Sequence, residues 1–148
     1  MPPILRPARA TDAAALATLA TALGYPTDSA TLAARLSVLL AAPEQHLLCV
    51  VETEGRVCGW IHGYLRPLLE SDSCVEVGGL VVAADCRGQG LGARLLAACE
   101  AWAAARGVAE VSVRCAEHRL DAHRFYQREG YSHIKTQLTF RKAVAKSS

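Results

Sequence analysis

Aromatic side chains are scarce in this sequence, at 5% of residues, although half of the chain is apolar. A core of that composition has to be assembled from Leu, Val and Ala, which suits helices packed on a sheet. Excess charge is lacking too, with a formal net charge of +2 and an isoelectric point of about 8.3. Such a balance argues against nucleic acid or a membrane surface as partner, even though Arg87, Arg94, Arg106, Arg114, Arg119, Arg124 and Arg128 crowd the second half. No hydrophobic run approaches the roughly 18 residues of a membrane span, and Met1-Pro2-Pro3-Ile4-Leu5-Arg6 lacks the apolar stretch of a signal peptide. The expected compartment is therefore the cytoplasm. Cysteine is present but never in C-x-x-C spacing. Cys49, Cys58, Cys74, Cys86, Cys99 and Cys115 are scattered, most of them within apolar runs where a thiol behaves as a small hydrophobe, so reduced and largely buried thiols are expected. His118 and His123 lie five apart and do not share a helical face, so no metal site is expected. A chain of 148 residues buries roughly two thirds of its unfolded surface and needs no staple.

What is there is a regular alternation of periods. After a short strand at Ile4 to Pro7, Leu16, Leu19, Ala20 and Leu23 recur at helical spacing, with Thr11 or Asp12 as cap and Gly24 as stop. A second helix follows Asp28, carries Leu32, Leu36, Leu39 and Leu40, and ends before Pro43. Leu47 to Val51 reads as a buried strand, Glu54-Gly55 as a hairpin turn, and Val57 to about Leu65 as its partner. A loop with Glu70, Ser71 and Asp72 leads to a strand at Cys74 to Val82. From Gly90 the period becomes helical, with Leu91, Leu95, Cys99 and Trp102 on one face and Gly107 beyond its end. Val111, Val113 and Cys115 alternate as a strand, Leu120 to Glu129 makes a helix stopped by Gly130, and Ile134 to Arg141 offers a final strand. The expectation is one α/β domain over residues 1–141 with a mixed, mostly antiparallel sheet flanked by helices, followed by a basic, flexible tail at 142–148.

Arg87-Gly88-Gln89-Gly90-Leu91-Gly92 lies between a strand and an amphipathic helix. A helix N-terminus presents unpaired N–H groups and partial positive charge, and missing side chains let a phosphate approach the backbone. Each such effect is worth only about 0.3–2 kcal/mol, so several amides must converge, with Arg87 adding charge at the rim. Gly88, Gly90 and Ala93 also match the dinucleotide pattern G-x-G-x-x-[GA]. The chain is too short for two mononucleotide-binding halves, the unit begins mid-chain, and the strand ending near Cys115 lacks a clear acidic residue for a ribose.

Two blocks of residues resemble the GNAT superfamily of N-acetyltransferases. Val77-Gly78-Gly79-Leu80-Val81-Val82 with Arg87 to Gly92 is similar to that family's cofactor loop, [QR]-x-x-G-x-[GA], and the strand before it. Arg119-x-x-Ala122-His123-x-Phe125-Tyr126-x-x-x-Gly130-Tyr131 is similar to its closing helix and strand. The resemblance implies acetyl transfer from acetyl-coenzyme A to a primary amine, on a small molecule or peptide, by direct attack in a ternary complex; the competing reading is a coenzyme A-binding regulatory module without chemistry. It implies a sheet splayed between its fourth and fifth strands. The pantetheine arm would pair along Leu80, Val81 and Val82, and the pyrophosphate would rest on Arg87, Gly88, Gln89, Gly90, Leu91 and Gly92. Many members carry Asn where this chain has Arg119, which either meets a phosphate or faces solvent. A homodimer is an option by analogy with the family.

The resemblance also implies a catalytic role for Tyr126, beside the cofactor's sulfur, and for Glu76, which would take the amine's proton through water. Strict alternation puts Glu76 and Val82 on one face of their strand unless a bulge intervenes. Glutamate near 4.3 and a lysine-like amine near 10.4 differ by about six units, or about 8 kcal/mol, so the site must lower the amine's pKa, raise that of Glu76, or take the proton after attack. A phenol is a weaker acid than a thiol, so full donation from Tyr126 to a departing thiolate is uphill by about 2 kcal/mol. Cys86 and Cys115 are the candidate nucleophiles of a covalent route, though neither has an identifiable His partner. The likeness places the acceptor near Tyr25, His62, Glu70 and Asp72.

Overall fold

The computed structural model describes residues 2–146 and divides them into two compact units, one running to Arg114 and one beginning at Cys115. The first unit holds β1 (Ile4–Pro7), α1 (Ala13–Leu23), α2 (Ser29–Leu40), β2 (His46–Thr53), β3 (Arg56–Arg66), β4 (Cys74–Val82), α3 (Leu91–Ala105) and β5 (Val111–Val113). Its sheet runs β1-β2-β3-β4-β5, antiparallel throughout except for the parallel pair β4 and β5. The expected mixed, mostly antiparallel α/β architecture is what the chain adopts.

The local signals act as their chemistry requires. Gly24 closes α1 in the left-handed conformation at φ 112°, and the Asp28 carboxylate caps α2 by accepting from the Thr31 N–H at 2.7 Å. Glu54 and Gly55 both have positive φ, which matches the right-handed twist of the β2–β3 hairpin. Helices cover both faces of the sheet. Leu16 and Leu36 pack with Val50, Leu48 and Trp60 on one side. On the other, a Cβ added at Gly63, three residues from Trp60 on the same strand, would meet Cys99 of α3 at 2.6 Å. The stripe of α3 is Leu91, Leu95, Leu96, Cys99 and Ala103 rather than one ending at Trp102, whose ring lies half-buried beneath the Arg106 guanidinium.

Among its described residues the second unit contains one helix, α4 (Leu120–Arg128), followed by Gly130 at φ 95°. Here one expectation fails. Ile134 to Arg141 alternates like a strand but forms none, and Ile134, Leu138 and Phe140 are 80–88% exposed. Alternation specifies which side chains share a face, but a strand exists only where another supplies hydrogen-bond partners. The strand expected to reach Cys115 likewise stops at Val113.

Candidate active site

Strand β4 is built with two discontinuities, and the site follows from them. Its ladder with β5 covers only Val75, Glu76 and Val77, so among the described residues the edge turned away from β3 has no strand beside it from Gly78 to Val82. That is the splay expected between the fourth and fifth strands. The second discontinuity is a bulge. His62 of β3 pairs with Gly79 and Gly63 with Val77, leaving Gly78 as an extra residue.

The bulge corrects the alternation argument. Glu76 meets the Tyr64 side chain, on the α1/α2 face, whereas Val82 lies against Gly59 on the α3 face. The two residues therefore point to opposite sides. Beyond β4, a 3-10 turn at Ala84–Cys86 leads into the glycine segment, where Gly88 and Gly90 hold φ of 83° and 73°. Gly90 is the N-cap of α3 and brings no side chain to its first amides, and a Cβ at either glycine would meet nothing within 4 Å. Arg87, Gly88, Gln89 and Gly90 are exposed, so the helix N-terminus opens to solvent and can take an anion. An unpaired strand edge followed by this anion-ready bend suits an extended chain that ends in a phosphate linkage.

Glu76 is 5% exposed and heavily engaged. It accepts a hydrogen bond from the Tyr64 hydroxyl and faces Arg114 Nε at 3.2 Å and Arg66 Nη1 at 3.5 Å. Burial, then the bond to Glu76, raises the Tyr64 pKa, so this phenol keeps its proton. Next to Tyr64 on that face stand His62 and His46, whose Nε2 and Nδ1 atoms are 3.0 Å apart. Burial, with help from His46, pushes His62 down to about 4, leaving it neutral at physiological pH. Its other nitrogen, Nδ1, looks at the bulge, 3.0 Å from where a Cβ on Gly78 would be.

A cavity of about 360 Å³ lies over this region, with Trp60, His62, Gly78 and Gly79 at the sheet and leucines of α1 and α2 above. Of the expected acceptor walls, Tyr25 and His62 line it; Glu70 and Asp72 do not, and both are exposed in the β3–β4 loop. Tyr64 and His46 went unnoticed in the sequence. The signal for them was strand register: once Tyr64 is paired with Glu76, its cross-strand neighbour on β2 is His46.

In the second unit Arg119 is exposed and immediately precedes α4. Tyr126 is half-buried, with edge contacts to Phe125 and Tyr131 at 5.0 and 5.8 Å between ring centroids. No cysteine is in a disulfide among the described residues, and Cys49, Cys58, Cys86 and Cys99 are buried. The Cys86 thiol is pushed up to about 11, first by its hydrogen bond with Cys58 and then by burial, and burial also raises Cys115. Neither is poised as a nucleophile. No helix of the described residues is long and apolar enough to cross a membrane.

Comparison with known proteins gives a consistent picture. A family model described as the acetyltransferase (GNAT) family matches residues 14–131. No curated protein matches significantly. Among solved structures, AAC(6')-Iy in complex with the bisubstrate analogue CoA-S-monomethyl-acetylneamine superposes with a TM-score of 0.85 at 18% identity, over 97% of this chain and 100% of the other. Glucosamine-6-phosphate N-acetyltransferase from Arabidopsis thaliana gives 0.79 at 19% identity, over 95% and 99%. The aminoglycoside 6'-N-acetyltransferase AAC(6')-Ih from Acinetobacter baumannii gives 0.86 at 15% identity, over 97% and 100%. At these identities the likeness establishes a shared fold.

Proposed function

The chain belongs to the acetyltransferase (GNAT) family, and from that premise we propose that it moves the acetyl group of acetyl-coenzyme A to a primary amine by direct attack within a ternary complex. The observation that carries this reading is the continuity, within one unit, of an unpaired β4 edge at Leu80, Val81 and Val82 with the open bend from Arg87 to Gly92. Two structures of one similar enzyme, AAC(6')-Iy, are described as complexes with coenzyme A or a bisubstrate analogue containing it, which supports the assignment of this groove. Gln89 and the Leu91 and Gly92 amides complete the proposed phosphate cradle, and Arg119 is assigned to a further phosphate contact.

In the reaction the carbon–sulfur bond of the thioester breaks, a carbon–nitrogen bond forms, and the proton lost by the amine ends on the thiol. Tyr126 is assigned to hydrogen-bond the departing sulfur, a role resting on the family resemblance. Glu76 is assigned to draw the amine's proton through water. Two guanidiniums face its carboxylate, and in this scheme Glu76 passes the proton on rather than keeping it.

Pure protein with acetyl-coenzyme A and an amine panel should release free thiol. Tyr126→Phe should lower kcat about a hundredfold and Glu76→Gln about tenfold or more, both with KM for acetyl-coenzyme A nearly unchanged. Unaltered turnover in Tyr126→Phe would remove that residue from the mechanism. Tight coenzyme A binding without turnover of any amine would make the chain a regulatory binding module instead.

A further inference from the structure

We infer that the cavity beneath α1 and α2 selects an apolar monoamine bearing an acidic group, and discriminates against polycationic acceptors. This rests on the acetyl-transfer reading above, because it takes the bulge at Gly78 and Gly79 as the reacting end of the pocket.

The charge census of the wall is the first argument. Among the described residues that line the cavity there is no carboxylate, and Arg35 is the one permanently charged side chain. Leu16, Leu32, Leu36, Leu39 and Leu48 supply most of the remaining wall. An amine with several ammonium groups would strip hydration from each of them against leucine, with no counter-charge to repay the loss. Neither Asp28, which caps α2 and interacts with Arg35, nor Glu76, which is engaged by Tyr64, Arg66 and Arg114, lines the cavity.

The second argument concerns the one nitrogen that must react. Burial in an apolar pocket disfavours the charged form of an amine, so the environment that penalises extra ammonium groups promotes deprotonation of the attacking one. At that end sits the neutral imidazole of His62, hydrogen-bonded to His46 and with Nδ1 turned to the bulge. A neutral imidazole adds no like charge. Arg35 then offers the one permanent charge among the described residues of the wall, and its match is a carboxylate or another anion on the substrate.

The test compares 2-phenylethylamine, phenylalanine and 6-aminohexanoate with spermidine and a tricationic amino sugar, all with acetyl-coenzyme A and thiol detection. The better of the two carboxylate-bearing amines should exceed spermidine in kcat/KM by about a hundredfold, the scale of a few methylene contacts, and should also exceed phenylethylamine. Arg35→Glu, an exposed substitution on α2, should reverse the order of that acid and phenylethylamine. Spermidine or the amino sugar turning over as well as the best monoamine would overturn the inference, and so would an Arg35→Glu enzyme with an unchanged preference.

Binding supplies a readout that does not depend on acetyl transfer. In a Trp102→Phe background Trp60, in the cavity wall, is the remaining tryptophan. Non-aromatic 6-aminohexanoate should change its fluorescence saturably, and spermidine should not. If no amine is acetylated but this pattern holds, the acetyl-transfer reading fails and the pocket assignment stands. The opposite pattern, spermidine binding more tightly than 6-aminohexanoate, sinks the pocket assignment whatever the enzyme does.

Discussion

At the scale of single residues, charges inside the first unit are held by partners and not by solvent. Asp12, 7% exposed, takes both terminal nitrogens of Arg6 at 2.8 and 2.9 Å and the Arg9 N–H at 2.7 Å. The hydrogen bonds from Arg6 hold its pKa below the ordinary 3.8. Its stabilising contribution is thus complete above that ordinary value and is lost as pH falls through the lower folded one. Asp12→Asn should cost about 2–3 kcal/mol at pH 7 in urea denaturation, and should flatten the loss of stability below about pH 4. His62 works over another window. Its folded pKa of about 4 lies below the ordinary 6.5, so the unfolded chain takes up a proton first and stability falls as pH drops from 6.5 toward 4. Replacing His62 with Gln should reduce that slope by up to about 1.4 kcal/mol per pH unit, measured as unfolding free energy against pH. A slope identical to that of the parent would mean that His62 is not buried as a neutral ring.

Elements show what a linear reading can reach. The helix stops at Gly24, Gly107 and Gly130, the Asp28 cap and the Glu54-Gly55 turn were legible because each depends on neighbours in the chain. The glycine bend from Arg87 to Gly92 was legible for the same reason. The bulge at Gly78 was not, because it is a relation between β3 and β4, and with it went the side on which Glu76 stands. Nor could a pattern of alternating residues at 134–141 announce that no strand would form there. The Tyr64, His62 and His46 array likewise exists only once register is fixed. Glycines separate the two kinds of cause. Gly90→Ala meets open space and suffers only its positive φ, so a loss of about 1 kcal/mol is expected. Gly59→Ala would put a Cβ 2.7 Å from the Val81 carbonyl oxygen, so strands must part and about 2 kcal/mol should be lost. Thermal unfolding of the pair, with Gly59→Ala the lower, checks this contrast.

For the whole molecule, the unequal make-up of the two units sets an order of opening. The first has a five-stranded sheet covered on both faces, with Val50, Ile61, Val75 and Leu95 fully buried. The second has a nine-residue helix, and Ala122 is the one buried residue described beyond Arg114. A helix that short is marginal on its own. Amide hydrogen exchange should therefore reach the α4 amides well before those of β2, β3 and the Cys74 to Val77 half of β4. Exchange of both sets at one common rate would show the chain opening as a single cooperative body.

The surplus glycine of β4 has one more consequence, for the tolerance of the gene to small indels. Removing Gly78 alone would turn the bulge into a regular ladder in which Gly79 keeps His62 and Val77 keeps Gly63 as partners, so both halves of the strand hold their register. Glu76 would then stay opposite Tyr64, on the face where Arg66 and Arg114 meet it. The loss of three nucleotides at this codon should therefore be borne more easily than the same loss at Ile61, which has a partner on both neighbouring strands.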